Sequence, residues 1–73
     1  MHDRRGRQIR LGDKVAIGGG ISGVVVFSID TDEYSPGFPK DDWQYLGRGV
    51  MVQTETVGLV HLSVADEHTE IVK

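Results

Sequence analysis

Ten glycines divide this 73-residue chain into short apolar segments, and this division limits the folds that the chain can adopt. The apolar segments are rich in valine and isoleucine, and they cover residues 15–17, 21–29, 50–54, 57–62 and 70–72. β-Branched side chains are stiff in a helix and pack well on a pleated sheet, while glycine supplies the backbone angles that tight turns require. The pattern therefore predicts an all-β domain of five or six short antiparallel strands.

The clearest strand signal lies near the C-terminus. Val50 and Val52 fall on one face of an extended chain, because side chains alternate along a strand. The polar pair Glu55-Thr56 separates this strand from the next apolar run, which predicts a hairpin. Gly58 lies inside that second run and indicates a bulge or a close approach between backbones.

The shortness of the chain also limits how the strands can be arranged. A protein of this size buries only about 60% of its unfolded surface, and a two-sheet sandwich usually needs about 100 residues. A closed barrel encloses a core with few residues and leaves no strand edge exposed. We therefore expect residues 9–73 to form a single small β-barrel.

The segments Ile9 to Ile17 and Gly23 to Asp30 together resemble the layout of SH3-like barrels. Within them, Gly12-Asp13-Lys14-Val15 followed by Gly23-Val24-Val25 resembles the start of KOW-type modules of ribosomal and transcription proteins. The resemblance implies a strand that begins after Gly-Asp and a second strand that follows a glycine. It also implies RNA contact through basic residues near this hairpin, where Lys14 is the only one.

A second resemblance is to the plasmid-borne type II dihydrofolate reductases, short SH3-like chains that form one shared pore as tetramers. Gly12-Asp13-Lys14-Val15 and the segment Gly58 to Ser63 lie where that family has its Gly-Asp opening and its Val-Gln-Ile-Tyr pore strand. Of that motif, only the valine is kept here, at Val60. The resemblance implies self-association and, as an alternative function, an oligomeric enzyme with a pore at His61.

Positive charge is concentrated at the N-terminus, although the whole chain has a formal charge of −3. Residues 1–14 hold five of the eight lysines and arginines, whereas residues 15–73 hold nine of the eleven carboxylates. We expect residues 1–8 to be a flexible basic arm, since polar termini are commonly frayed. This arm suggests an alternative function in nucleic-acid binding, with phosphates contacted by Arg4, Arg5, Arg7 and Arg10.

Residues 30–47 form a connection long enough to suggest a function. Pro39, the carboxylates Asp41 and Asp42, and the stop at Gly47 predict one or two helical turns. Four of the five aromatic residues lie in this connection, beside Asp32 and Glu33; they are Tyr34, Phe38, Trp43 and Tyr45. Tyrosine and tryptophan are typical anchors of protein interfaces.

The aromatic residues of this loop allow two interpretations. In one, they bind an extended, proline-rich or basic peptide, together with Asp32 and Glu33. In the other, Phe38 and Trp43 plug the open end of a small barrel, which needs every apolar contact available. The second interpretation is favoured for Trp43 and Leu46, while Tyr34 and Tyr45 are expected to be exposed.

Several chemistries have no support in the sequence. The chain has no cysteine, so it can form neither disulfides nor thiolate metal sites. His2, His61 and His68 match no recognised metal-ligand spacing. The triplet Gly18-Gly19-Gly20 precedes a β-branched run instead of the helix that a phosphate-binding loop requires, which predicts a hairpin turn. We therefore expect no catalytic residues, no metal and no cofactor.

No apolar run approaches the roughly 20 residues of a membrane helix, and the N-terminus lacks the apolar stretch of a secretory signal. We therefore expect a cytoplasmic domain that does not contact membranes. The function that the sequence favours is non-enzymatic: the domain binds a protein partner, or its own copies, through the aromatic and acidic loop. Nucleic-acid binding and an oligomeric pore enzyme are the alternatives.

Overall fold

The computed structural model of the protein describes residues 1–63 and 68–72, and it confirms an all-β fold. Six strands form one antiparallel sheet: β1 Lys14–Gly18, β2 Ile21–Ser28, β3 Glu33–Tyr34, β4 Val50–Thr54, β5 Leu59–Leu62 and β6 Glu70–Val72. Between β3 and β4 lies a short helical segment, which consists of α1, Lys40–Trp43, and the 3₁₀ turn Gln44–Leu46. The predicted helical turn within the long loop is thereby confirmed.

The positions of the first two strands follow from short sequence patterns. β1 begins directly after Gly12-Asp13, and the glycine triplet forms the turn to β2, where Gly18 pairs with Ile21. Gly23, expected to precede the second strand, lies inside β2 next to β4. A Cβ atom at Gly23 would overlap the carbonyl oxygen of Gln53, so a residue without a side chain is needed where the two strands meet.

The predicted hairpin between β4 and β5 is also confirmed. Residues 50–53 pair in register with residues 59–62, and the Thr54 amide donates to the Gly58 carbonyl at 2.9 Å. Gly58 lies just before β5 at φ +77°, where a Cβ atom would meet nothing within 4 Å. Gly58 therefore shapes the turn. A close approach occurs instead at Gly49, where a Cβ atom would overlap the carbonyl oxygen of Leu62.

The sheet does not close into the barrel that the chain length predicts. Its strand order is β5-β4-β2-β1-β6, with β3 beside β2, and among the described residues no pairing joins β5 to β6. The N-terminal segment covers the outer edge of β6 instead. The Asp3 carboxylate accepts a hydrogen bond from the Ile71 amide at 3.0 Å, and Arg7 donates to the Ile71 carbonyl at 2.8 Å. These side chains satisfy edge groups that a neighbouring strand would pair in a barrel.

Residues 1–8 consequently pack against the sheet, in contrast to the flexible arm that the sequence predicts. The buried Asp3 carboxylate organises this segment by accepting the backbone amides of Arg5 and Arg7 at 3.0 and 2.8 Å. His2 and Gln8 form an antiparallel bridge around the resulting turn. A polar terminus is held in place here because its hydrogen bonds are made with the protein instead of with water.

One face of the sheet carries the aliphatic core. Its members are 1% exposed or less, and they are Ile9, Val15, Val25, Val50 and Val52. Partly buried side chains pack around them, namely Met1, Ile17, Leu62 and Ile71. Full burial of a side chain of this size contributes roughly 1.5–3 kcal/mol, so this cluster is a main source of stability.

A β-bulge in β2 places a second buried region on the opposite face. The register with β4 shifts between Val25 and Phe27, so that Val25 pairs with Val52 and Phe27 pairs with Met51. Successive side chains of β4 alternate between faces, and Val52 belongs to the aliphatic core. Met51 and Phe27 therefore point to the other face, where both are nevertheless buried.

Candidate protein-binding surface

The ring of Phe27 holds the long loop on the sheet. Tyr34 stacks on Phe27 with 5.5 Å between ring centroids, because β3 pairs these two residues directly. Phe38 and Trp43 lie 5.9 and 5.5 Å from the same ring and 5.8 Å from each other. We call Phe27, Tyr34, Phe38 and Trp43 the aromatic cluster. It is a small second core, on the sheet face opposite the aliphatic core.

Three of the predicted binding residues thus serve the packing of the loop. Tyr34, Phe38 and Trp43 are partly buried in the aromatic cluster, and Leu46 is partly buried as well. The expectation that Tyr34 is exposed is wrong, because its pairing with Phe27 in the sheet turns the ring onto the cluster. Phe38 and Trp43 pack as the core interpretation predicts, although on the face of an open sheet and not at the end of a barrel.

The helical segment formed by α1 and the 3₁₀ turn lies between Pro39 and Gly47, the two residues that the sequence indicates as its limits. Pro39 precedes it in an extended conformation, and the Asp42 amide donates to the Pro39 carbonyl at 3.0 Å. The following 3₁₀ turn ends at Gly47, which has φ +86° and donates to the Gln44 carbonyl at 3.0 Å. Because Trp43 anchors one side of this segment in the aromatic cluster, its other side faces solvent.

The solvent side of the helical segment carries the exposed residues of the candidate site. Tyr45 is 75% exposed, which confirms the expectation for this residue. Asp41, Asp42 and Gln44 are exposed beside it. Within residues 1–63 and 68–72, neither Asp41 nor Asp42 makes an ion pair. We call Asp41, Asp42, Gln44 and Tyr45 the loop surface.

The carboxylate of Asp32 forms an ion pair within the loop. It lies 2.8 Å from the Lys40 ammonium, at the start of α1. The hydrogen bond from Lys40 to Asp32 raises the pKa of the lysine above its usual value. Asp32 has φ +56°, a left-handed conformation that aspartate tolerates better than most residues. The ion pair thus joins the β2–β3 turn to the start of the helix on the protein surface, since both side chains are more than half exposed.

Glu33 is the other predicted acidic residue of the site. Its carboxylate also accepts hydrogen bonds from the same chain. Arg10 donates to both of its carboxylate oxygens, at 3.2 and 2.8 Å. The Thr31 hydroxyl and the Leu11 amide donate to the same carboxylate at 2.7 and 3.3 Å. Chiefly because of the side-chain hydrogen bond from Arg10, the pKa of Glu33 falls to about 2. Glu33 therefore ties β3 to the segment before β1.

Asp30 is a structural residue that the sequence analysis does not identify. Its carboxylate accepts the Gly49 amide at 3.0 Å and the N-terminal ammonium of Met1 at 2.7 Å. The backbone hydrogen bond from Gly49, followed by that from the ammonium, lowers the pKa of Asp30. Met1 lies 29 positions away in sequence, so no local pattern could have revealed this pairing.

The four N-terminal arginines do not form one basic patch. Arg5 pairs with Glu70 at 2.9 Å, Arg7 with Asp3 at 3.0 Å and Arg10 with Glu33 at 2.8 Å. In the part of the chain that the structure describes, the side chain of Arg4 makes no ion pair. Three of the four candidate phosphate contacts are thus neutralised by carboxylates of the same chain.

Asp3, the partner of Arg7, has an unusually low pKa. Burial acts to raise it, but hydrogen bonds from the amides of Ile71, Arg7 and Arg5 act in the opposite direction, and the Arg7 side chain adds another. The pKa of Asp3 is lowered from 3.8 to about 2. A carboxylate with so many donors is stabilised in its ionised form.

His61 lies on β5 opposite Met51, with its Nε2 2.9 Å from the Arg48 carbonyl oxygen. No group of three or more histidine, aspartate or glutamate side chains that could hold a metal ion occurs among the described residues. None of the helical turns in residues 1–63 and 68–72 is long and apolar enough to cross a membrane.

The chain matches no protein-family model, no curated protein and no solved structure with which it was compared.

Proposed function

We propose that this protein is a non-enzymatic interaction module that binds a basic segment of a partner protein through the loop surface. The observation that carries the proposal is the exposure of Tyr45 on a helical segment that is held by the aromatic cluster and that carries two carboxylates without an ion pair among the described residues. An exposed tyrosine offers a large contact area together with a polar tip. Asp41 and Asp42 would attract lysine or arginine side chains of the partner.

The loop is well anchored for such a role. Trp43 contacts Phe27 on the sheet, Lys40 pairs with Asp32, and Glu33 pairs with Arg10. These contacts fix the backbone that presents the loop surface before any partner arrives. A surface held in its bound conformation loses less conformational entropy on binding, which favours affinity.

An NMR titration of the ¹⁵N-labelled protein with a synthetic arginine- and proline-rich peptide tests the proposal. We expect saturable shift changes at Asp41, Asp42 and Tyr45. Replacing Tyr45 with alanine should weaken binding about tenfold, a typical cost for an interface anchor, without unfolding the domain. The double replacement of Asp41 and Asp42 by asparagine should weaken binding at low salt and matter less at high salt.

Glu55 provides the matched control, since it is an exposed carboxylate in the distant β4–β5 turn. The variant Glu55→Gln should bind the peptide as the unchanged protein does. Equal losses in Glu55→Gln and in the Asp41 and Asp42 variant would show that only net charge matters. Unchanged binding in Tyr45→Ala would rule out the loop surface as the binding site.

The proposal includes a cytoplasmic location, which the lack of cysteine favours, because secreted domains of this size are commonly cross-linked by disulfides. The SH3-like and KOW-like relationship also stays a prediction; the start of β1 directly after Gly12-Asp13 supports it. The oligomeric pore enzyme has less support, since the described contacts of His61 include no second acid or base.

A further inference from the structure

A concave surface lies where β1, β2 and β6 meet the N-terminal segment. It is an open cavity of about 450 Å³. Its lining includes the polar side chains of Arg4, Lys14, Ser22 and His68 and the apolar side chains of Ala16, Ile21 and Val72. Lys14 pairs with Val24 and Val72, and Ala16 pairs with Ser22 across the sheet, so strand register brings these side chains to one face.

The cavity brings together two cationic side chains, Arg4 and Lys14. Among the lysines and arginines of residues 1–63 and 68–72, only Arg4, Lys14 and Arg48 make no ion pair, and two of these three line the cavity. Glu70 lies on the neighbouring strand, but its carboxylate is paired with Arg5 at 2.9 Å. Two cations that make no ion pair with the described residues therefore face one cavity in a protein whose net charge is negative.

The side chains that line the cavity indicate which class of ligand it would bind. Arginine and lysine are the usual partners of phosphate oxygens, and the Ser22 hydroxyl can add a hydrogen bond. Ala16, Ile21 and Val72 provide an apolar area that an inorganic ion would leave uncovered. A volume of this size falls within the range of pockets that hold small organic molecules. The lining thus suits a ligand with one phosphate group and one apolar group.

We propose that this cavity binds a small organic phosphate, with the phosphate between Arg4 and Lys14 and the apolar group against Ala16 and Val72. The site is distinct from the loop surface and shares no residue with it. Binding through it would let the protein respond to a phosphorylated small molecule while the loop surface remains free for a partner.

An NMR titration of the full-length ¹⁵N-labelled protein with phenyl phosphate tests this assignment. We expect saturable shift changes at Ala16, Ser22 and Val72, and weaker binding of both inorganic phosphate and phenol, each of which lacks one of the two groups. Arg4→Gln and Lys14→Gln should each weaken phenyl phosphate binding at least fivefold. Both residues are exposed and their side chains make no ion pair with residues 1–63 or 68–72, so the variants should fold as the unchanged protein does.

Arg48→Gln is the matched control, because Arg48 is also exposed and without an ion pair in the described part of the chain but does not line the cavity. It should leave phenyl phosphate binding unchanged; a loss equal to that of Arg4→Gln would overturn the proposal in favour of a general charge effect. Absence of saturable shifts would also overturn it. A single-stranded oligonucleotide that binds more tightly than phenyl phosphate, with shifts that extend to Arg48, would assign the cations to nucleic acid instead.

Discussion

The aliphatic core and the aromatic cluster lie on opposite faces of one sheet, but they are built from different kinds of contact. The aliphatic core joins residues of three strands with Ile9 from outside the sheet, and its members are almost completely buried. The aromatic cluster joins Phe27 of β2 to Tyr34 of β3 and to two rings that follow in the loop, Phe38 and Trp43, and those three rings stay partly exposed. The first region holds the strands together, while the second holds the loop in position.

This difference shows how a small sheet can support both a buried core and an ordered loop. A single bulge in β2 turns Phe27 away from Val25 and so supplies an anchor on the outer face. The loop then gains its order from one buried ring and a few ion pairs. Its stability should therefore be partly separable from that of the sheet.

Phe27→Ala should have the largest effect, because Phe27 is fully buried and contacts all three loop rings. We expect a loss of about 4 kcal/mol in the free energy of unfolding, the usual cost of removing a buried phenylalanine. Urea denaturation followed by circular dichroism measures it. Tyr45→Ala is the control and should change stability by less than about 0.5 kcal/mol, as is usual for exposed positions. A small loss in Phe27→Ala would mean that the aromatic cluster is dispensable.

Trp43→Ala should destabilise the aromatic cluster and leave the stability of the aliphatic core largely unchanged. Trp43 is only partly buried, so we expect a loss of about 2 kcal/mol, less than for a fully buried ring. Hydrogen exchange should accelerate in residues 38–47, while amides of β1, β2 and β4 keep their protection. Ile9→Ala is the comparison and should weaken protection in the strands. Equal loss of protection everywhere in Trp43→Ala would show that the two regions unfold as one unit.

Asp3→Asn should have the smallest effect of the three, about 1.5 kcal/mol at neutral pH, since one charged acceptor of several hydrogen bonds is lost. The pKa of Asp3 is lowered from 3.8 to about 2 in the folded protein, so the unfolded chain takes up the proton more readily. The ionised carboxylate therefore stabilises the fold above about pH 4, and this contribution is lost as the pH falls towards about 2.

Urea denaturation of Asp3→Asn between these pH values should consequently show a weaker pH dependence than the unchanged protein. Asp41→Asn is the control, because Asp41 is exposed and makes no ion pair among the described residues. An unchanged acid dependence in Asp3→Asn would contradict the role of Asp3 in holding the N-terminal segment.

The structural elements that depend on a few neighbouring residues were predicted correctly. The β4–β5 hairpin, the turn at Gly18-Gly19-Gly20 and the helical turn after Pro39 depend on local backbone preferences, which the residue types reveal directly. The candidate site in residues 30–47 stays a prediction. Among its residues, Tyr45 is exposed as expected, but Glu33 and Tyr34 hold the loop in place.

The sequence by itself determined that this chain forms short strands with a helical turn in one long loop, because alternation, β-branching and glycine act on neighbouring residues. Only the tertiary structure decided that the sheet stays open, that residues 1–8 cover an edge and that Phe27 faces the loop. Those outcomes depend on contacts such as the one between Asp3 and Ile71, which are 68 positions apart. Which distant groups meet depends on the free energy of the whole packed chain, and no local pattern records it.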